Sequence, residues 1–222
     1  MTNELFARLM MASIVSPLVP LICLSIYWSR QPRQNRILAI SIFISLVFDV
    51  ISWVMGVLYH QPNSLPINLY FIIAFPAIMW FYHETLAKRS LKNVTRIFTL
   101  IFFLLAAVFI IKSGLQVVNH GLFMLSSILV SITSLLFIRD LNVMGDSDFL
   151  KNEFHKTNIF LNTSLATYYF ATVIIFSVSD YVFASASEEE FNLFWAFHNI
   201  LNISKNIGIT AAFYLTAKRR LA

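Results

Sequence analysis

Residues 191–216 read FNLFWAFHNILNISKNIGITAAFYLT. The stretch is long enough to cross a bilayer, for which about 20 apolar residues suffice. Its middle nevertheless carries His198, Asn199, Asn202, Lys205 and Asn206. At about 100° per residue these five fall within an arc of about 120° on one helix face. Leu193, Ile200, Ile207 and Ala211 occupy the opposite face. A cation at mid-bilayer costs at least about 2.5–3.5 kcal/mol on insertion scales, so Lys205 is expected to face protein or water, not lipid. The rest of the chain is therefore expected to wrap around this polar face.

The composition agrees with a membrane setting. Of 222 residues 58% are hydrophobic and 12% charged, and the mean hydropathy is +0.73. Soluble domains carry about 25% charged residues. The formal charge of +5 and a pI near 9.4 would suit a nucleic-acid partner. The basic residues lie in short connections on one side of the membrane, however, so no nucleic acid is expected. The single cysteine, Cys23, lies inside an apolar run and reads as a packing residue. The N-terminal stretch carries Glu4 and a long apolar run with no small-residue cleavage site, so it reads as a retained first span.

Seven apolar runs follow one another, at Met10–Trp28, Ile37–Tyr59, Leu65–Ala87, Val94–Ile111, Val117–Ile138, Thr157–Ala184 and Phe191–Thr216. The odd-numbered connections and the C-terminus hold Arg30, Arg33, Arg36, Lys88, Arg89, Lys92, Arg96, Arg139, Lys151, Lys156, Lys218, Arg219 and Arg220. The other side has Arg8 and Lys112 and the acidic Glu188–Glu190. Basic connections stay inside, so the expected fold is all-α, one domain over residues 1–222. It has seven transmembrane helices, the N-terminus outside and the C-terminus inside, in a cell inner membrane.

Polar residues inside the runs mark the candidate site. The second run carries Ser41, Ser45, Asp49, Ser52 and Gly56 on one face. Asp49 and Lys205 lie at similar depth with opposite charge, so they are expected to face one another directly or through water. The sixth run offers Asn158, Asn162, Tyr169 and Asp180. Serines 127, 131 and 134 of the fifth run read as packing. Pro17, Pro20 and Pro76 are candidate kinks. The five histidines are scattered with no partners at metal-ligand spacing, and no phosphate loop or hydrolase motif is present. Neither a metal, an organic cofactor nor an enzymatic activity is expected.

Three resemblances bear on these residues. Seven spans with Lys205 in the last one resemble microbial rhodopsins, in which such a lysine binds retinal as a Schiff base. The carboxylate that family places four residues earlier is Leu201 here, and the middle of the third run, Ala74–Met79, holds no counterion. The topology is also similar to sugar transporters of the SWEET type, without their Pro-Gln signature. Residues 194–206, Phe-Trp-Ala-Phe-His-Asn-Ile-Leu-Asn-Ile-Ser-Lys-Asn, resemble the last helix of small seven-helix inner-membrane proteins of Bacteroidetes-type bacteria. That resemblance covers one helix and implies no activity.

The reading that follows is a protein that binds a small solute or ion in a polar core between the second, sixth and seventh spans, with transport as its use. The expected ligand-binding residues are Asp49, Lys205, His198, Asn199, Asn202, Asn206, Tyr169 and Asp180. The alternatives are a seven-helix sensor acting through a separate cytoplasmic partner, and a retinal-binding photoreceptor.

Overall fold

The structure is a computed structural model that describes residues 3–143 and 153–219. These residues form α-helices and short helical turns, with no strand among them. The helices are α1 (Asn3–Val15), α2 (Leu18–Ile26), α3 (Arg33–Trp53), α4 (Ser64–Thr85), α5 (Arg89–Ser113), α6 (His120–Val143), α7 (Glu153–Ser185) and α8 (Glu188–Arg219). A π-helical turn, Val54–Leu58, prolongs α3. Most of the connection expected at Arg139–Lys156, residues 144–152, lies outside the described residues.

Chain neighbours pack side by side. Helices α1 and α2 lie against α8 and α3, α3 against α4, α4 against α6, α6 against α7, and α7 against α8. The ring closes in chain order, with α5 placed outside it against α4 and α6. Phe102 of α5 stacks on Phe75 of α4 at 4.1 Å between ring centroids. Helix α4 supplies much of the centre through Phe75, Ile78, Met79, Phe81 and Tyr82, all buried.

The burial pattern is inverted relative to a protein in water. Serines 127, 131 and 134, Asn162, Asn202 and Asn206 are buried. Leu100, Leu104, Ile111, Ile174, Leu193, Phe197, Ile200 and Ile207 are exposed. A soluble monomer seldom exposes apolar surface on this scale. In hydrocarbon that surface costs nothing, and a hydroxyl or amide turned inward can find a partner that lipid does not offer, as Ser134 does in Asn162. Among the described residues six helices are long and apolar enough to cross a membrane: Glu4–Ile26, Arg33–Leu58, Ser64–Thr85, Arg89–Ser113, His120–Leu141 and Thr157–Ser179. The chain is a multi-pass membrane protein. Helix α8 is less apolar than these six because its own buried face carries amides and a lysine.

Proline explains how the first span bends. Pro17 has no N–H for the carbonyl of Ser13, and Pro20 has none for that of Ser16. The rod breaks into α1 and α2 at this point. The Ser16 hydroxyl donates to the Ser13 carbonyl at 2.8 Å, and the Val19 amide takes the Ser16 carbonyl at 3.2 Å.

Helix ends are fixed by identifiable caps. The Ser187 hydroxyl accepts from the Glu190 amide at 3.3 Å, while the Ser187 amide donates back to the Glu190 carboxylate at 2.8 Å. This is a capping box at the start of α8. Helix α5 ends at Gly114, whose φ of 73° is open to glycine at little cost. Its start is held from across the bundle, since the Asp140 carboxylate accepts from the amides of Ala87 at 2.7 Å and Lys88 at 3.4 Å.

Candidate functional site

Lys205 sits midway along α8 and is buried. Its Nζ lies over the Tyr168 ring of α7, 4.1 Å from the centroid. A cation over an aromatic face gains about 0.5–2 kcal/mol, more as water is removed. No hydrogen-bond acceptor lies against the ammonium among the described residues. An ammonium offers three donors, and here a ring and a more distant charge take the place of acceptors.

That distant charge is Asp49 on α3. Asp49 and Lys205 attract one another through the interior, yet they do not form a direct ion pair within 4.0 Å. Asp49 accepts a hydrogen bond from Ser45, one turn earlier, at 3.2 Å. Tyr70 of α4, Ser45 and Tyr169 of α7 line one small cavity. It has a volume of about 20 Å³ and also touches Ser41, Lys205 and Asn206. That volume accommodates one water, which needs about 10–15 Å³. Lys205 and the Ser45 hydroxyl that bonds Asp49 thus border one gap a single water wide, with Leu38, Ile42, Ile78, Leu165 and Ile209 completing its wall.

The remaining expected ligands are divided among other tasks. Asn202 donates to the Ser13 hydroxyl at 3.0 Å and to the Ser13 carbonyl at 3.4 Å. Asn206 donates to the Ser16 hydroxyl at 2.7 Å. Both amides thus fasten α8 to the broken turn of α1. His198 points into a cluster of rings, with its Nε2 3.3 Å from the Tyr168 hydroxyl and centroid distances of 5.5 Å to Trp195 and 6.2 Å to Phe176. Tyr168 consequently lies between His198 and Lys205. Asn199 is half-buried on α8. Tyr169 is buried and belongs to the cavity wall. Asp180 lies near the C-terminal end of α7, and its side chain is outside the described set. The structure therefore brings Lys205, Tyr169 and Asn206 to one gap, with Asp49 outside its wall but bonded to Ser45 of that wall, and uses Asn202 and Asn206 in the α1 contact.

Several buried polar groups have partners that their position in the sequence does not reveal. Asp140 is one. Another is a node at the α4–α6–α7 junction, where Tyr82 and Ser134 both donate to the Asn162 side-chain oxygen, at 3.0 and 2.9 Å. A third is Asn68, which donates to the carbonyls of Leu115 and Val117 at 3.0 and 2.8 Å and ties down the connection into α6. Tyr70, which lines the small cavity with Ser45 and Tyr169, reads in the sequence only as one aromatic residue among many. Among the described residues no group of three or more His, Cys, Asp or Glu is placed to hold a metal ion.

No known family, curated protein or solved structure matches the chain. The reading of its function rests on this geometry.

Proposed function

We propose that the chain is a seven-span inner-membrane protein, N-terminus outside and C-terminus inside, that binds a small ion in its polar core and carries it across. The ion that suits the core best is the proton. One observation carries the reading. The buried Lys205 and the half-buried Asp49, opposite charges, stand without a direct contact, and a cavity of about 20 Å³ borders both Lys205 and Ser45, the hydroxyl that bonds Asp49. A larger solute has no room there, whereas a proton can move by way of one water and the Ser45 hydroxyl that bonds Asp49.

Helix α8 belongs with the six apolar helices in this reading. Its exposed face is Leu193, Phe197, Ile200, Ile207 and Tyr214, and its buried face is Asn202, Lys205, Asn206 and Thr216. Polar residues turned inward and apolar ones outward are the arrangement a lipid-facing helix needs. A proton on Asp49 removes the counter-charge of Lys205. The attraction between α3 and α8 then weakens by up to about 4 kcal/mol, the value for unit charges 4 Å apart at an effective dielectric of 20. That change is large enough to shift the balance between two packings of these helices by orders of magnitude.

The test is proton entry into proteoliposomes holding a pH dye, driven by a potassium diffusion potential. Wild-type protein should acidify the lumen faster than empty vesicles, and Asp49→Asn should reduce the rate to the empty-vesicle level. Equal rates for wild type and Asp49→Asn would refute the proposal.

A further inference from the structure

Lys205 also borders a second, larger space. A groove of about 420 Å³ runs between α7 and α8 and opens at the surface of the bundle. Thr163, Thr167 and Ser204 line it and are exposed, and Phe160 and Ile207 stand at its sides, also exposed. Tyr168 and Lys205 form part of its wall. The helices approach closely at one point of it, since a Cβ on Gly208 would fall 2.1 Å from the Ser164 hydroxyl oxygen.

We infer that this groove binds a free fatty acid, with the carboxylate at Lys205 and the acyl chain lying between α7 and α8. Three observations meet here. The surrounding surface is the apolar exterior of a membrane protein, so whatever enters is dissolved in lipid and brings an apolar body. At the wall stands a buried ammonium whose donors have no acceptor among the described residues. The groove also presents hydroxyls, which accept and donate where hydrocarbon cannot. An acceptor head on an apolar tail satisfies all three, and a negative one complements the charge. An ammonium–carboxylate contact shielded from water is among the stronger hydrogen bonds, which offsets the cost of drawing the head group inward from the membrane surface.

The inference goes beyond proton carriage and shares only Lys205 with it. Thr167 and Ser204 lie on the groove and not on the cavity that borders Ser45. Groove occupancy and proton flux can therefore be scored separately.

The experiment uses the full chain in nanodiscs, with radiolabelled oleate and radiolabelled oleyl alcohol as probes of equal tail length. Wild type should bind oleate at least tenfold more tightly than the alcohol. Thr167→Leu/Ser204→Leu should fill the groove and weaken oleate binding at least tenfold, with proton flux unchanged. In Lys205→Gln the preference for acid over alcohol should fall to about one. Oleate binding by the groove-filled variant at wild-type strength would overturn the inference, as would equal affinity of wild type for acid and alcohol. A preference that survives in Lys205→Gln would overturn it too. Failure of these binding arms with Asp49-dependent flux intact would leave the proton reading standing alone.

Discussion

Neutralising Asp49 and Lys205 singly and together measures the interaction on which the proposed function depends. Asp49→Asn leaves a buried ammonium without its counter-charge, and Lys205→Met leaves the carboxylate without its own. Asp49→Asn/Lys205→Met removes both charges. The two groups lie beyond the 4.0 Å of a direct ion pair. With an effective dielectric of 20, their attraction is therefore below about 4 kcal/mol, and it stays above about 1 kcal/mol until about 16 Å separate the charges. The double variant should consequently be more stable than the sum of the single losses implies, by about 1–4 kcal/mol. Reversible unfolding in mixed micelles by sodium dodecyl sulfate, at one pH and one lipid composition, gives the four free energies. A coupling energy within about 0.3–0.5 kcal/mol of zero is the scatter of independent sites. That result would mean the charges do not sense each other, and the one-water gap would have no polarity to work with.

Other expected outcomes follow from the contacts around the site. Asn202→Leu should lose about 0.6–1.7 kcal/mol, the range for hydrogen bonds between membrane helices. In a Pro17→Ala background the loss should shrink, because the Ser13 carbonyl regains its backbone donor; the same micelle assay reads both. Asp140→Ala should destabilise by about 0.5–1.5 kcal/mol, since it removes the acceptor of the Ala87 amide, which water can partly replace, whereas Asp140→Asn keeps an acceptor and should cost less. Gly208→Ala places a methyl against Ser164 and should cost about 1–3 kcal/mol, recovered in Gly208→Ala/Ser164→Gly. The Ser187 amide and hydroxyl hold the Glu190 carboxyl below its ordinary range. Its contribution to capping α8 should be complete above the ordinary carboxylate range and lost as pH falls through the depressed value. Amide exchange at Ser187, whose N–H the carboxylate accepts, that is no faster at acid pH after correction for intrinsic rates would contradict that sign.

Helix positions were legible because hydrocarbon imposes a coarse rule on long stretches of chain. Six of the seven apolar runs coincide with helices long and apolar enough to cross a membrane, and the seventh coincides with α8. The polar face of α8 was equally legible, because an unpaired lysine in an apolar run has few places to point. Partners were not legible, because they depend on which helix lies beside which. Asn202 and Asn206 have the same spacing whether they face a cavity or another helix. What sends them to α1 is the Pro17 break, which frees a carbonyl and brings two serine hydroxyls within reach. Asp140 lies at the basic end of its span, where solvation is the ordinary expectation. Its role as a cap for a different helix exists only in three dimensions.

The buried polar groups of the bundle fall into two kinds, and the difference bears on function. Asn162, Asn68, Gln31 and Asp140 each bond a partner on another segment, as do Asn202 and Asn206. Such groups hold helices in register, and their geometry leaves little to gain from movement. Lys205 is of the other kind. Its ammonium rests over a ring and interacts with Asp49 at a distance, with no acceptor at hydrogen-bond range among the described residues. A lysine kept for packing alone is readily replaced by an apolar residue, often with a gain in stability. An incompletely satisfied charge instead makes the energy of the core depend on what else arrives there, whether a proton on Asp49 or an acceptor from the lipid side. Two helices whose attraction can be altered by one proton or one head group are suited to switching between arrangements, and α3 and α8 are the pair that carries those charges.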